Sequence, residues 1–307
     1  MRFQILGCSG GLGGTPGTAG RPGRPARTSS FLVDHDILVD AGTGVEDLSV
    51  EDMRRIDHVF LTHSHLDHIC ALPLMLDTVG SSRERPVVVH ALPETIQALK
   101  DHIFNWVIWP DFTEIPHFER PWMVYSPLQV GHPVQIGNRT IRPITANHTV
   151  PAVGFHIGAT AGSLVYSGDT LPTEEFWRTV NGISDLRHLI LETAFANRER
   201  DLAVTAKHLY PIQLSEELAR LCVDPQIHIT HLKPSDRDLI AHEIETWALP
   251  AAHPADRRRA GHRLTVASVA PSRQHSDDSR CQWPSVRPAL PVCTPGISLA
   301  RRVQDAT

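Results

Sequence analysis

The chain has 307 residues, 41% of them apolar and 21% charged, and a net charge of −5. That length allows one α/β domain or two, since a single domain of this class can run to ~250 residues. The composition is that of a soluble globular protein, and the negative balance gives no global electrostatic case for gripping nucleic acid or an anionic membrane.

Five cysteines (Cys8, Cys70, Cys222, Cys281, Cys293) are scattered without a Cys-x-x-Cys pair, which fits reduced thiols in a cytosolic protein better than a disulfide framework. The N-terminus turns to glycine at Gly7, too soon for a signal peptide, and no apolar run nears the ~18 residues of a membrane span. The expected location is therefore cytoplasmic. Nineteen histidines is a high count and directs attention to metal or acid–base chemistry.

In chain order, residues 3–6 read as a first strand that runs into Gly7-Cys8-Ser9-Gly10-Gly11-Leu12-Gly13-Gly14. Such a run can cradle phosphate, but no Gly-Lys-Ser/Thr follows. The residues through Arg27 are too rich in Pro and Gly to open a helix, so the segment reads as a flexible loop, near the site or solvated at the surface, made basic by Arg21, Arg24 and Arg27. Residues 31–33 and 37–39, around Asp34-His35-Asp36, predict a hairpin. Asp40 then stands at the end of a buried strand, where it supports a ligand histidine or caps a turn. A short helix over 50–55 leads to a strand over 58–61.

There follows His63-Ser64-His65-Leu66-Asp67-His68, read as a turn between a buried strand and a helix over 69–78. Three imidazoles and a carboxylate on one tight turn favour a first-row transition metal. A strand over 87–90 and a helix over 93–102 come next. Residues 103–112 are unusually aromatic. Such a cluster can stack on a nucleobase, but more often it fills a core or a dimer interface.

From 122 to 157 the chain is β-rich, with strands over 122–124, 134–136, 140–144 and 153–157. His148 follows a strand end. A strand over 163–166 leads to Asp169, a helix covers 173–180, and a strand over 188–191 ends at Glu192. A charged loop leads to Lys207-His208, and 212–221 has helical periodicity. A strand over 227–230 ends at His231, a helix closes 236–247, and 261–266 can add a last strand. The segment 268–307 is rich in Pro, Ser and Arg without periodicity and is expected to be a disordered tail, leaving 1–267 as the ordered domain. The polar residues His63, Asp169, Glu192 and His231 all follow apolar strands, the place where open α/β sheets put chemistry.

The ordered series His63, His65, Asp67, His68, His148, Asp169, His231 resembles the metallo-β-lactamase superfamily over roughly residues 1–267. The resemblance implies an α/β fold, the αββα sandwich, with the metal site at one edge of the two sheets. It implies that His63, His65 and His148 hold one divalent metal and that Asp67, His68 and His231 hold a second, with Asp169 bridging both. Zinc is the first expectation for these ions, with manganese or iron as alternatives.

Within the superfamily, His65-Leu66-Asp67-His68-Ile69, His148-Thr149-Val150-Pro151, Leu191-Glu192-Thr193-Ala194-Phe195, Lys207-His208-Leu209 and Thr230-His231-Leu232-Lys233-Pro234 are similar to class II 3′,5′-cyclic-nucleotide phosphodiesterases. That similarity implies hydrolysis of cyclic AMP or cyclic GMP to the 5′-monophosphate, with Asp67 orienting the nucleophile. His208 lies between Asp169 and His231, as does the proton-donating histidine of related phosphodiester nucleases. It is expected to stabilise the phosphoryl oxygens or protonate the leaving 3′ oxygen, with Glu192 orienting it and raising its pKa.

The expected partner is a small cyclic nucleotide, with no membrane and no nucleic acid; a homodimer would give the aromatic stretch around Trp106 a use. The main alternative is a tRNA 3′-processing endonuclease, which has the same ligand series. Those enzymes generally carry an RNA-clasping arm between the third histidine and the bridging aspartate, where this chain has a short β-rich connection. A thioester or lactam hydrolase would explain the metals but not His208 and Glu192. A non-catalytic metal-binding module ranks lower, because the ligand series is intact.

Overall fold

A computed structural model of the chain describes residues 1–13, 26–247 and 264–266. Arg21, Arg24 and the segment 268–307, with the boundary expected at 267, lie outside the described residues.

The first half opens with β1 (Phe3–Gly7), β2 (Ser30–Val33) and β3 (Ile37–Ala41), paired antiparallel. The β2–β3 turn is the predicted hairpin, and it places Asp34 at φ 53. Helix α1 (Val50–Arg54) starts at Ser49, whose hydroxyl accepts the Asp52 amide. It is followed by β4 (His58–Phe60), α2 (Leu66–Ile69), α3 (Leu72–Val79), β5 (Val87–Ala91), α4 (Pro93–His102) and β6 (Met123–Pro127). β3 to β6 run parallel, and β3 is buried along its whole length because both faces of the sheet are covered.

The second half contains β7 (Val134–Ile136), β8 (Arg139–Ala146), β9 (Ala152–Ala159), β10 (Gly162–Tyr166), α5 (Glu174–Asn181), β11 (Leu186–Glu192), α6 (Arg200–Thr205), α7 (Pro211–Leu218), β12 (Gln226–Thr230), α8 (Arg237–Trp247) and β13 (Leu264–Val266). Among the described residues one sheet runs β1-β2-β3-β4-β5-β6 and the other β13-β12-β11-β10-β9-β8-β7. β10 to β13 are parallel, and β7 to β10 are antiparallel.

Three apolar layers hold these elements together. Leu61, Leu72, Leu76, Val89 and Leu99 pack the first helices onto their sheet. Phe31, Phe60, Phe155, Tyr166 and Ile190 fill the space between the sheets, with the Phe31 and Tyr166 rings 4.7 Å apart. Phe176, Leu191, Leu214, Ile229 and Ile240 join the second sheet to its helices. Each such fully buried side chain contributes about 1.5–3 kcal/mol. The result is the expected αββα sandwich.

Three local expectations change. The helix read over 69–78 begins at Leu66 and breaks at Cys70–Ala71, because Pro73 has no N–H to give the Ile69 carbonyl. Asp67 and His68 therefore lie in a short helix that starts after His65, and not on a turn. The charged loop before Lys207 contains α6, which buries only Ala203 and so shows no periodicity in the sequence. The aromatic stretch divides: Phe104 and Phe112 enter the core, while Trp106, Val107 and Ile108 are 60%, 84% and 62% exposed. α4 has by then carried the chain away from the strand ends where the polar residues gather. No helix among the described residues is long and apolar enough to cross a membrane.

Candidate metal centre

The segments that follow β4, β8 and β10, the end of β11, and the residues after α6 and β12 bring His63, His65, Asp67, His68, His148, Asp169, Glu192, His208 and His231 together at one edge of the sandwich. Donor atoms of His63, His65 and His148 form one group, those of Asp67, His68 and His231 another, and Asp169 joins His63 and His68. One oxygen of Asp169, Oδ2, lies 3.1 Å from His231 Nε2, 3.3 Å from His68 Nε2 and 3.8 Å from His63 Nε2. His148 Nε2 is 3.1 Å from His65 Nδ1, and His68 Nε2 is 3.4 Å from His231 Nε2.

Asp40 organises the floor of this cluster. It accepts hydrogen bonds from the Thr62 amide at 2.8 Å, the Thr62 hydroxyl at 3.0 Å, His68 Nδ1 at 2.7 Å and the Tyr166 hydroxyl at 3.2 Å. With Nδ1 donating to Asp40, the Nε2 lone pair of His68 is directed at the cluster, as in carboxylate–histidine–metal arrangements. The Tyr166 bond crosses between the sheets, so the same carboxylate orients His68 and pins the two halves together.

His208 Nδ1 donates to Glu192 Oε1 at 2.9 Å, and the Thr170 amide donates to the same oxygen at 3.1 Å. Glu192 therefore links His208 to the turn that carries Asp169. The His208 ring stacks on His231, with centroids 5.2 Å apart, and meets His148 edge-on at 4.9 Å. His208 also lies within donor reach of two neighbouring groups, His148 with Asp169 and Glu192 with His231.

The electrostatics follow from burial and neighbours. Burial opposes the charge on His68, yet Asp169 and Asp40 outweigh it and raise this imidazole well above its usual range. Burial, then the charge of His68, holds His63 well below it, and burial brings His148 down to about 4. For Asp169 and Asp67 burial also works against ionisation. The surrounding imidazoles dominate and keep both carboxyls well below the ordinary carboxylate range. For His208 burial is again the largest influence, but Glu192's charge and hydrogen bond reverse it and raise the group.

This donor set fits divalent metal. His63 Nε2, Asp169 Oδ1 and His231 Nδ1 are buried without a hydrogen-bond partner, a condition that bound ions or water relieve. The ring nitrogens approach to about the 3.3 Å expected between ligands around a tetrahedral ion with bonds of ~2.0–2.1 Å. A cation would also take over the charge balance that a proton on His68 provides.

The N-terminal loop, for which the sequence leaves open a place near the site or a solvated surface, touches this cluster directly. The His231 amide donates to the Cys8 carbonyl at 2.8 Å, and Gly10 donates to Leu232 at 3.1 Å. A Cβ on Gly10 would sit 2.5 Å from the His231 carbonyl oxygen and 2.6 Å from its Nδ1. Gly10→Ala is therefore expected to displace His231 and lower the metal content that metal-loaded protein retains after dialysis; an unchanged content would show that the loop yields freely. Only the glycine run hinted at this close approach.

A family model described as a beta-lactamase superfamily domain matches residues 35–236. A probable 3′,5′-cyclic-nucleotide phosphodiesterase of Yersinia pestis is 25% identical over 206 residues, covering 59% of this chain and 58% of that protein. A nuclear ribonuclease Z of Triticum aestivum is 28% identical over 123 residues, covering 40% of this chain and 66% of that protein. The chain thus spans less than two thirds of the length of these curated relatives. Among solved structures, unliganded yeast PDE1 superposes with a TM-score of 0.65 at 20% identity, covering 87% of this chain and 97% of that chain. That likeness speaks to the fold.

Proposed function

The chain belongs to the beta-lactamase superfamily, and on that footing we propose that it is a two-metal phosphodiesterase that opens 3′,5′-cyclic nucleotides to 5′-monophosphates. The observation that carries this reading is the buried His208–Glu192 pair beside the donor cluster. In this reading His63, His65 and His148 hold one ion, Asp67, His68 and His231 hold the other, and Asp169 is shared. When bound, two divalent cations supply Lewis acidity to phosphoryl oxygens and lower the pKa of water; zinc suits the donors, with manganese or iron as alternatives.

The protein's own groups supply the rest. Glu192 keeps the proton on His208 Nδ1 and holds the ring facing the cluster. His208, favoured in its protonated form by Glu192, donates a proton to the ribose 3′ oxygen as the bond from phosphorus to that oxygen breaks. Asp67, beside His231 at 3.2 Å, orients the attacking water.

Between His148 and Asp169 the chain forms only the β9–β10 hairpin, closed at Thr160–Ala161. That leaves no segment for clasping RNA there and favours a small substrate over the ribonuclease alternative.

The test is a substrate panel on metal-loaded protein, with metal content measured on the same sample: cyclic AMP, cyclic GMP, bis(p-nitrophenyl) phosphate and a pre-tRNA. Release of 5′-monophosphate from a cyclic nucleotide is expected, and cleavage of the pre-tRNA alone would overturn the reading. His208→Ala should lower kcat by roughly 10²–10⁴-fold with metal content unchanged. Loss of metal in that variant would make His208 a ligand instead.

A further inference from the structure

We propose that Lys207 is a positioning residue for the metal centre: it clamps His148 at two points and ties it to the turn that carries His208. The Lys207 carbonyl accepts from His148 Nδ1 at 3.3 Å, and its side-chain Nζ donates to the His148 carbonyl at 2.8 Å. The same two residues are thus joined once through the imidazole and once through the backbone. The bond to Nδ1 fixes the tautomer. The proton stays on Nδ1, and the Nε2 lone pair is left pointing at the space shared with His65 Nδ1, 3.1 Å away. The bond from Nζ holds the peptide on which that ring is mounted.

The backbone of Lys207 supplies a second, independent observation. It sits at φ 56, a left-handed conformation that glycine adopts freely and a residue with a Cβ adopts rarely. The turn is imposed by the Lys207 amide donating to Val204 at 3.1 Å and the His208 amide donating to Ala203 at 2.8 Å, which closes α6. A glycine would suit this backbone better but has no amine to reach His148. Strain of this kind persists where the surroundings over-determine it, and it gathers at functional sites.

His208 is the next residue, and its ring lies 4.9 Å from that of His148. The clamp therefore sets the spacing between a metal-binding histidine and the proton donor. The inference rests on the reading of His148 as a ligand given above.

The experiment compares Lys207→Met, Lys207→Arg and Lys207→Gly with His148→Ala in the full chain. Two quantities are read: the zinc dissociation constant by chelator competition, and Tm of the metal-free protein. Lys207→Met should weaken zinc retention by about 10-fold, the lower end of the effect of removing a group that orients a ligand. Its metal-free Tm should stay at the wild-type value. Arginine, which can still donate to the His148 carbonyl, should restore most of the affinity. Lys207→Gly should weaken zinc retention as methionine does while matching or exceeding the wild-type Tm, an outcome that a purely structural role cannot produce.

Wild-type zinc affinity in both Lys207→Met and Lys207→Gly, alongside a loss in His148→Ala, would overturn the clamp and leave the ligand reading standing. Wild-type affinity in His148→Ala would overturn both. A fall in affinity and Tm together, with no rescue by arginine, would reduce Lys207 to a structural residue and overturn the proposal.

Discussion

Asp169→Ala is expected to abolish metal retention and turnover together. One oxygen of this buried carboxylate stands within 3.1–3.8 Å of imidazole nitrogens from His231, His68 and His63. Those histidines come from both donor groups, so this one side chain serves the two at once. Removing it takes the shared carboxylate away from three buried imidazoles, of which His68 keeps Asp40 at 2.7 Å and His231 keeps Asp67 at 3.2 Å. Taking away one partner of a buried charge pair costs about 3–5 kcal/mol, roughly 10²–10⁴-fold in an equilibrium constant. Metal analysis after dialysis and turnover of bis(p-nitrophenyl) phosphate provide the check. Asp169→Asn keeps the shape but loses the charge, and should be nearly as impaired. Two equivalents of metal in the alanine variant would refute the shared role of this carboxylate.

The second large effect is a loss of stability in mild acid that originates outside the metal centre. His90 and His228 are 4% and 0% exposed. Burial, and then the charge of a neighbouring histidine, brings His90 down to about 4 and His228 to about 3. The neighbour is His58 Nδ1 at 3.1 Å from His90 Nε2 in one case, and His188 Nδ1 at 3.1 Å from His228 Nε2 in the other.

As pH falls through ~6.5 the unfolded chain takes up these protons while the folded protein refuses them. The stability is fully present above that pH, declines as the unfolded state binds more protons, and levels off below the folded values. By pH 5 each group contributes a loss of about 2 kcal/mol, against a typical total of about 5–15 kcal/mol. Urea midpoints measured from pH 7.5 to 5 should fall steeply for the wild type and more gently for His90→Gln and His228→Gln. An identical pH dependence in the double variant would refute this origin.

The convergence of the donor side chains was largely legible in the sequence because they are tied to strand ends. A short apolar run followed by histidine or a carboxylate marks such an end, and His63, Asp169, Glu192 and His231 all declared themselves that way. The contact of Asp40 with His68 was one of two readings open at that position. The bond from Tyr166 to Asp40 was not visible, because it joins strands of different sheets and no local spacing records that pairing. Lys207 was hidden for a similar reason: its role depends on a left-handed backbone and on His148 lying opposite, both consequences of tertiary packing. α6 escaped because a six-residue helix that buries one alanine leaves no periodic trace. The pairs His58–His90 and His188–His228 join adjacent strands, and no local motif records a pairing of that kind.

The contact of Cys8 and Gly10 with His231 and Leu232 also orders events in time. During synthesis the His63–His68 segment leaves the ribosome while β10 and β12 have yet to be made. Domains tend to fold from the N-terminus as they emerge, yet here the first loop, which meets Arg27 early through Cys8 and Ser9, reaches His231 and Leu232 only once β12 has been made. An ion caught early would find three imidazoles and one carboxylate, but neither Asp169 nor His231. If the cluster holds metal as proposed, its full donor set exists only once β12 has docked, at the same stage that the N-terminal loop gains its contacts with His231 and Leu232.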